Sequence, residues 1–437
     1  MNQQAQELNT IIKEVNPHIY DMLSEMGKHL FFPKGILSQS AEAREKANRI
    51  NATIGIAKEQ GSVMGLSSVT RFVKGIDPDS FLTYASSFGI LSLRQAWKNG
   101  LYQKNPSLKG KTASLPVVTS GVTHGVSTFA DLWVNPGDTV LLPDMMWGNY
   151  NMTLCVRNRA KIVQYRTFLS DLSGLDLDAF EAAVTRQAAD SSKVIIILNF
   201  PHNPSGYSPS REEGQRIAEF LIHRAEKGTD LVVACDDAYF GLFYEAETMK
   251  ESLFSRLAGA SKHLAAVKLD GATKEDYVWG LRTGFITYGC AGDGDIGALY
   301  NALERKTAGC IRGNISNASH LSQTIVLNSM ADARYTEYKQ EKFDLLKKRA
   351  SAIREIVYNE AYRDAWDVYP FNSGYFMCIR LRNADAEALR VHLLDKYETG
   401  LISIGDRNLR IAFSCLEVNQ VKELFDTILK GINDLSR

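Results

Sequence analysis

The rhythm of apolar and polar positions divides the 437-residue chain into unlike stretches. From about residue 115 to 290, short apolar runs alternate with longer helical patterns. Residues 116–119 (PVVT) read as a strand, meet Ser120-Gly121, and give way to a helical stretch at about 123–134. Runs 139–142 (TVLL) and 161–165 (KIVQY) read as further strands. Run 194–198 (VIIIL) is apolar throughout, as a strand buried on both faces should be. Ser210 and Glu213 form an S-x-x-E capping box. It predicts a helix to about Lys227, with Gly228 as the glycine that follows a helix end. Run 231–235 (LVVAC) is the next strand. Strand, helix, strand in that order predicts an α/β fold: a mostly parallel central sheet covered by helices on both faces.

After about residue 331 the pattern changes. Residues 331–358 read as one long, charged helix. Shorter strands follow at 375–381, 401–404 and 409–413, with helices near 385–396 and 418–431. This predicts a smaller α+β domain. The first seventy or so residues carry helical pattern and the segment NATIGIA, and are expected to join or bridge to it. The predicted division is a large domain over 75–330 and a small one from 1–74 and 331–437.

Composition narrows the classes. Lys plus Arg equals Asp plus Glu at 50 each, which argues against a broad electrostatic footprint for nucleic acid or an anionic membrane. The longest apolar runs are far too short to span a bilayer. The start, MNQQAQELNT, lacks a secretory signal pattern. Six cysteines at 155, 235, 290, 310, 378 and 415 form no CxxC, so reduced thiols in a cytoplasmic protein are expected.

Two motifs are decoys. Residues 292–297 (GDGDIG) satisfy GxGxxG, but no second strand and acidic residue follow at the right distance, and Asp293 and Asp295 would repel a pyrophosphate. A helix N-cap is the better reading. Residues 110–112 (GKT) lack the first P-loop glycine, since position 105 is Asn105, and a strand follows. The eight histidines show no paired ligand spacing, so no metal site is expected.

Chemistry gathers where strands end, the place where open parallel sheets bind ligands. The segments are TSGVTHG at 119–125, NFPHNPSG at 199–206 and CDDAYFG at 235–241. A fourth, DGATKEDYVWGLRTG at 270–284, puts a lysine eight residues before an arginine. With WGNY at 147–150 and NLRIAFS at 408–414, their order and spacing resemble class I, fold-type I pyridoxal-phosphate aminotransferases. Within that family the chain is most similar to bacterial aspartate and aromatic amino acid aminotransferases.

The resemblance implies roles residue by residue. Lys274 is the Schiff-base lysine and general base. Arg282 grips the cofactor phosphate with Gly121, Val122 and Thr123 at a helix N-terminus. Asp236, rather than its neighbour Asp237, pairs with the pyridine nitrogen, because the match starts D-x-A-Y at 236. Asn203 and Tyr239 hydrogen-bond the ring hydroxyl oxygen. Trp147 stacks on the ring, with Ala238 a candidate for the opposite side. Arg410 holds the substrate α-carboxylate. Gly55 lets backbone approach the substrate, or is a plain turn glycine. Tyr84 reaches the phosphate of the neighbouring subunit's cofactor, which implies a homodimer. Arg312 holds a distal substrate carboxylate from the opposite subunit, or serves its own helix end.

The segment departs from the family pattern at Tyr277 and Thr283. At Gly271 many relatives carry a phosphate-binding serine, so that contact is expected to be absent. The resemblance thus implies transamination between an L-amino acid, aspartate or aromatic, and a 2-oxo acid such as 2-oxoglutarate. A β-decarboxylase or β-lyase on the same fold would share Lys274, Asp236 and Arg410. A non-catalytic relative would not need an intact lysine.

Overall fold

The computed structural model describes residues 2–15, 21, 23, 28–29, 36–72 and 75–436. Its centre is a seven-stranded sheet. In chain order the strands are β1 (Val117–Thr119), β2 (Thr139–Pro143), β3 (Lys161–Tyr165), β4 (Lys193–Asn199), β5 (Asp230–Asp236), β6 (Leu264–Asp270) and β7 (Gly284–Gly289). Across the sheet they run β1-β7-β6-β5-β4-β2-β3. The pairs from β3 to β6 are parallel. β7 runs antiparallel to both β6 and β1. The sheet is therefore mostly parallel, as expected, and mixed at one edge, through two strands at 264–270 and 284–289 that the apolar pattern did not assign.

Side chains alternate between the two faces, as strand geometry requires. Ile195 and Ile197 join one core with Val232, Ala234 and helix residues Val122, Val126 and Phe129. Val194, Ile196 and Leu198 join another with Val233 and Cys235. Both faces are thus covered. The covering helices include α1 (Leu91–Lys104), α2 (Gly121–Trp133), α3 (Leu177–Asp190), α4 (Arg211–Glu226) and α5 (Ile296–Asn314). The capping box forms as predicted: Ser210 Oγ accepts from Glu213 N–H, and the Glu213 carboxylate accepts from Ser210 N–H. Gly228 follows the helix end at φ +89°. Asp295 caps α5 by accepting from Ala298 N–H at 3.1 Å, so GDGDIG is a helix start.

The long helix α6 (Tyr335–Val357) leads to a four-stranded antiparallel sheet. Its strands are β8 (Trp366–Val368), β9 (Phe376–Leu381), β10 (Ile402–Ile404) and β11 (Asn408–Ala412), with helices α7 (Ala386–Tyr397) and α8 (Val421–Leu435). Early chain returns to this unit. Ile50 and Asn51 pair in parallel with Thr399 and Gly400. Helices Gln3–Val15 and Ile36–Lys46 account for described parts of the first seventy residues. The helical pattern of the others falls outside the described residues. The two units are tied near the site. Gly206 C=O accepts from Asn372 and Ser373 N–H, each at 2.9 Å, and Asn372 C=O accepts from Tyr244 N–H at 2.9 Å.

Candidate active site

A cavity of about 80 Å³ opens where β4, β5 and β6 end, and its lining includes Thr123, Trp147, Asn203, Asp236, Tyr239 and Lys274. Val122 and Ala238 line it as well. Six motifs spread over some 290 positions of sequence contribute to this corner of the fold.

Asp236 closes β5 and is 2% exposed. Its parity on the strand aligns it with Ala234 and Val232, on the face that α2 covers. Tyr150 Oη donates to its Oδ2 at 2.6 Å, and Ala238 N–H to its Oδ1 at 3.2 Å. Burial raises the Asp236 pKa, while the Tyr150 bond and the Lys274 charge pull it back down. Asp237 turns the other way. It accepts from the ammonium of buried Lys268 and from Ser252 Oγ.

Lys274 sits in the short helix Ala272–Glu275 just after β6. Its Nζ lies over the Tyr239 ring, 4.9 Å from the centroid. Burial lowers its pKa to about 8, with Asp236 opposing and Arg282 assisting. An amine so tuned is free in a useful fraction near neutral pH. Tyr375 Oη anchors the turn by donating to Lys274 C=O at 3.1 Å.

Arg282 adopts a left-handed backbone at φ +50°. Its guanidinium packs onto Gly121, where an added Cβ would stand 2.5 Å from Nη2. Gly121 itself has φ +79°, so the turn into α2 needs glycine for both conformation and space. Val122 and Thr123 follow in the first turn of α2, whose N–H groups have no intrahelical partner. At Gly271 a Cβ would stand 2.6 Å from Thr283 C=O, so close backbone packing accounts for the missing serine.

Asn203 and Arg410 meet across the two units. Asn203 N–H donates to Asn199 Oδ1 at 2.9 Å, and Asn203 Oδ1 accepts from Arg410 Nη1 at 3.2 Å. Arg410 Nη2 donates to Thr53 C=O at 2.9 Å, and the guanidinium lies 4.2 Å from the Phe376 ring centroid. Arg410 is 2% exposed, its Nε has no hydrogen-bond partner, and among the described residues no carboxylate pairs with it. A buried cation without a counter-ion is costly, and its side chain is a waiting anion site. Gly55 is adjacent: a Cβ there would stand 3.2 Å from the Phe376 ring and 3.5 Å from Tyr239 Oη.

Two expected residues lie elsewhere. Tyr84 is 92% exposed on this chain. Arg312 is exposed in the last turn of α5, and its Nη1 donates to Ser316 Oγ at 2.7 Å. Neither reaches the cavity of its own chain.

Several contacts were not singled out from sequence: Tyr150 on Asp236, Asn199 behind Asn203, Thr53 on Arg410, and the Tyr375-Phe376 pair against Tyr239. For Tyr150 a signal existed. Trp147 and Tyr150 are three residues apart, the spacing that puts two side chains on one helical face. Their rings meet edge-on at 5.4 Å.

Comparison with known proteins identifies the family and the fold. Residues 70–428 match the family described as aminotransferase class I and II. The chain belongs to that family, whose members depend on pyridoxal phosphate. It is 23% identical over 330 residues to an aspartate aminotransferase of Salmonella typhi, covering 74% of the chain and 79% of that relative. It is 24% identical over 266 residues to a tyrosine aminotransferase of Bos taurus, covering 60% of the chain and 55% of the relative. Other curated relatives are matched over about half their length. Among solved structures, an aminotransferase from Anaerococcus prevotii DSM 20548 superposes with a TM-score of 0.82 at 22% identity, over 94% of this chain and 99% of that one. The aspartate aminotransferase of Saccharomyces cerevisiae cytoplasm superposes with a TM-score of 0.77 at 18% identity, over 96% and 100%. The architecture is fold-type I.

Proposed function

We propose that this protein is a pyridoxal-phosphate aminotransferase that moves an amino group from L-aspartate or an aromatic L-amino acid to a 2-oxo acid such as 2-oxoglutarate. It works as a cytoplasmic homodimer, with a large cofactor-binding domain over 75–330 and a small domain from 1–74 and 331–437. One observation carries the reading. An amine of lowered pKa, a buried carboxylate and a buried guanidinium with no counter-ion among the described residues converge on one corner of the fold.

The donor set fits the cofactor: a carboxylate for a ring nitrogen, an amine for an aldehyde, and a guanidinium over a helix N-terminus for a phosphate. When bound, pyridoxal phosphate supplies an electron sink for the pair left when the substrate Cα–H bond breaks. The chain does the rest. Lys274 holds the cofactor, and its Nζ takes the proton from the substrate Cα. Asp236 keeps a proton on the ring nitrogen. Asn203 and Tyr239 donate to the ring hydroxyl oxygen. Trp147 and Ala238 flank the ring and exclude water. Gly121, Val122, Thr123 and Arg282 bind the phosphate. Arg410 orients the substrate α-carboxylate, and Gly55 leaves room for it. Tyr84 reaches the phosphate of the partner subunit's cofactor, and Arg312 the distal carboxylate of its substrate.

The test is a panel of amino donors offered with 2-oxoglutarate. Stoichiometric glutamate from aspartate or an aromatic donor is expected. Release of carbon dioxide or ammonia without glutamate would replace this reading with a β-decarboxylase or a β-lyase.

A further inference from the structure

We infer that Tyr150 is a positioning residue for Asp236: it holds carboxylate Oδ2, so that Oδ1 is the oxygen left to meet the ring nitrogen of the cofactor. This rests on the functional reading above.

The geometry is direct. Tyr150 is 1% exposed, and among the described residues its hydroxyl is the one side-chain donor to the Asp236 carboxylate, at 2.6 Å; Asn199 Nδ2 donates to the Asp236 backbone carbonyl instead, at 2.9 Å. Oδ1 has only the longer bond from Ala238 N–H, at 3.2 Å. The other charged or titratable groups around Asp236 are committed or distant in role. Lys268 is bound to Asp237 and Asp270. Lys274 lies over the Tyr239 ring, and Tyr239 packs edge-on against Tyr375 and Phe376. Tyr150 therefore fixes which way the carboxylate faces.

The phenol suits that task. Burial, and then the charge of Asp236, raise the Tyr150 pKa well above 10. It stays protonated at any working pH, so it donates without adding charge. A hydrogen bond to the ionised carboxylate favours that form. Tyr150 thus offsets part of the penalty that burial imposes on ionised Asp236. The local chain is built around this contact. Tyr150 precedes a π-helix, Asn151–Arg157, a wide turn that is rare and frequent at functional sites. Thr153 Oγ1 donates to Tyr150 C=O at 3.3 Å, and Tyr150 N–H donates to Trp147 C=O at 3.0 Å. One turn thereby presents Trp147 and Tyr150 to the same cavity.

Tyr150→Phe keeps the ring and its packing and removes the hydroxyl. Without that donor the Asp236 pKa rises further, so the acid limb of kcat/KM should move to higher pH. The affinity of the apoprotein for pyridoxal phosphate, followed by fluorescence quenching at pH 7, should fall about tenfold or more, as expected for a lost bond to a charged group. Tyr150→His, which can offer an N–H in its place, should recover most of that loss. Both variants losing affinity alike, or neither moving the acid limb, would overturn the assignment of Tyr150 while wild-type transamination stands. Wild-type protein that binds no pyridoxal phosphate would overturn the functional reading, and this inference with it.

Discussion

Lys268 and Lys274 stand six residues apart, yet one is locked behind the sheet end and the other opens on the cavity. Lys268 is 1% exposed, and its ammonium lies against Asp237 and Asp270. Burial alone would lower its pKa, but the two carboxylates outweigh burial and raise it. Lys274 faces an aromatic ring with no carboxylate in salt-bridge contact among the described residues, so burial wins and its pKa falls to about 8. The same side chain becomes a structural cation in one region and a base in the other. What decides is whether an anion is within reach. The adjacent aspartates repeat the lesson: Asp237 serves the structural cluster and Asp236 the cavity.

The two regions should respond oppositely to mutation. Lys274→Ala should lower transamination by about 10³-fold or more, in line with removal of a general base, and leave the fold intact. Lys268→Met should do the reverse. It strips the cation from two buried carboxylates, a change that costs about 3–5 kcal/mol, read as a drop in urea-unfolding free energy. A Lys268 variant of normal stability would remove the contrast.

The aspartates sharpen it. Asp236→Ala should reduce kcat by about 100-fold, roughly 2.7 kcal/mol. Asp237→Asn should mainly lower stability. Equal kcat losses would mean that both carboxylates serve the cofactor.

An exposed cation gives a third point. Arg312→Ala should leave stability unchanged and cut kcat/KM for aspartate by about 30-fold, as for a lost partner in a buried charge pair. Phenylalanine or tyrosine in the half-reaction should change far less. Equal losses for both donor types would assign Arg312 to the fold or the subunit interface.

The smallest effect is in pH. Lys274 binds its proton less tightly in the folded apoprotein than the ordinary lysine value of 10.5, at about 8. Between about pH 8 and 10.5 the unfolded chain therefore holds more protons at this site, and stability should rise with pH. Lys268 has a raised folded pKa, so its stabilisation is complete below 10.5 and lost only above it. Unfolding free energies at pH 7 and 9 should show the rise in wild type and not in Lys274→Met. The same slope in both would remove the lowered pKa from the account.

Much of this was legible in sequence because chemistry was concentrated in short motifs at strand ends. The cores of β2, β4 and β5 and the capped helix α4 could be read from pattern, while the choice of Asp236 over Asp237 came from the family resemblance. Other features depend on pairing across space. β6 reads LAAVKLD, with a lysine in its middle, and it becomes a strand because Asp237 and Asp270 neutralise that charge. The reversal of β7 is set by its neighbours, since an apolar run carries no direction. The return of Ile50–Asn51 to Thr399–Gly400 joins segments about 350 residues apart and leaves no local trace. The Arg410 contact with Thr53 C=O exists only because of that return.

The most direct test of the central claim uses borohydride on the purified holoenzyme, followed by peptide mapping. The visible absorbance should vanish, and the pyridoxyl group should be found on the peptide containing Lys274, with Lys268 unmodified. Label on Lys268, or on any lysine other than 274, would contradict the division of labour between the two regions.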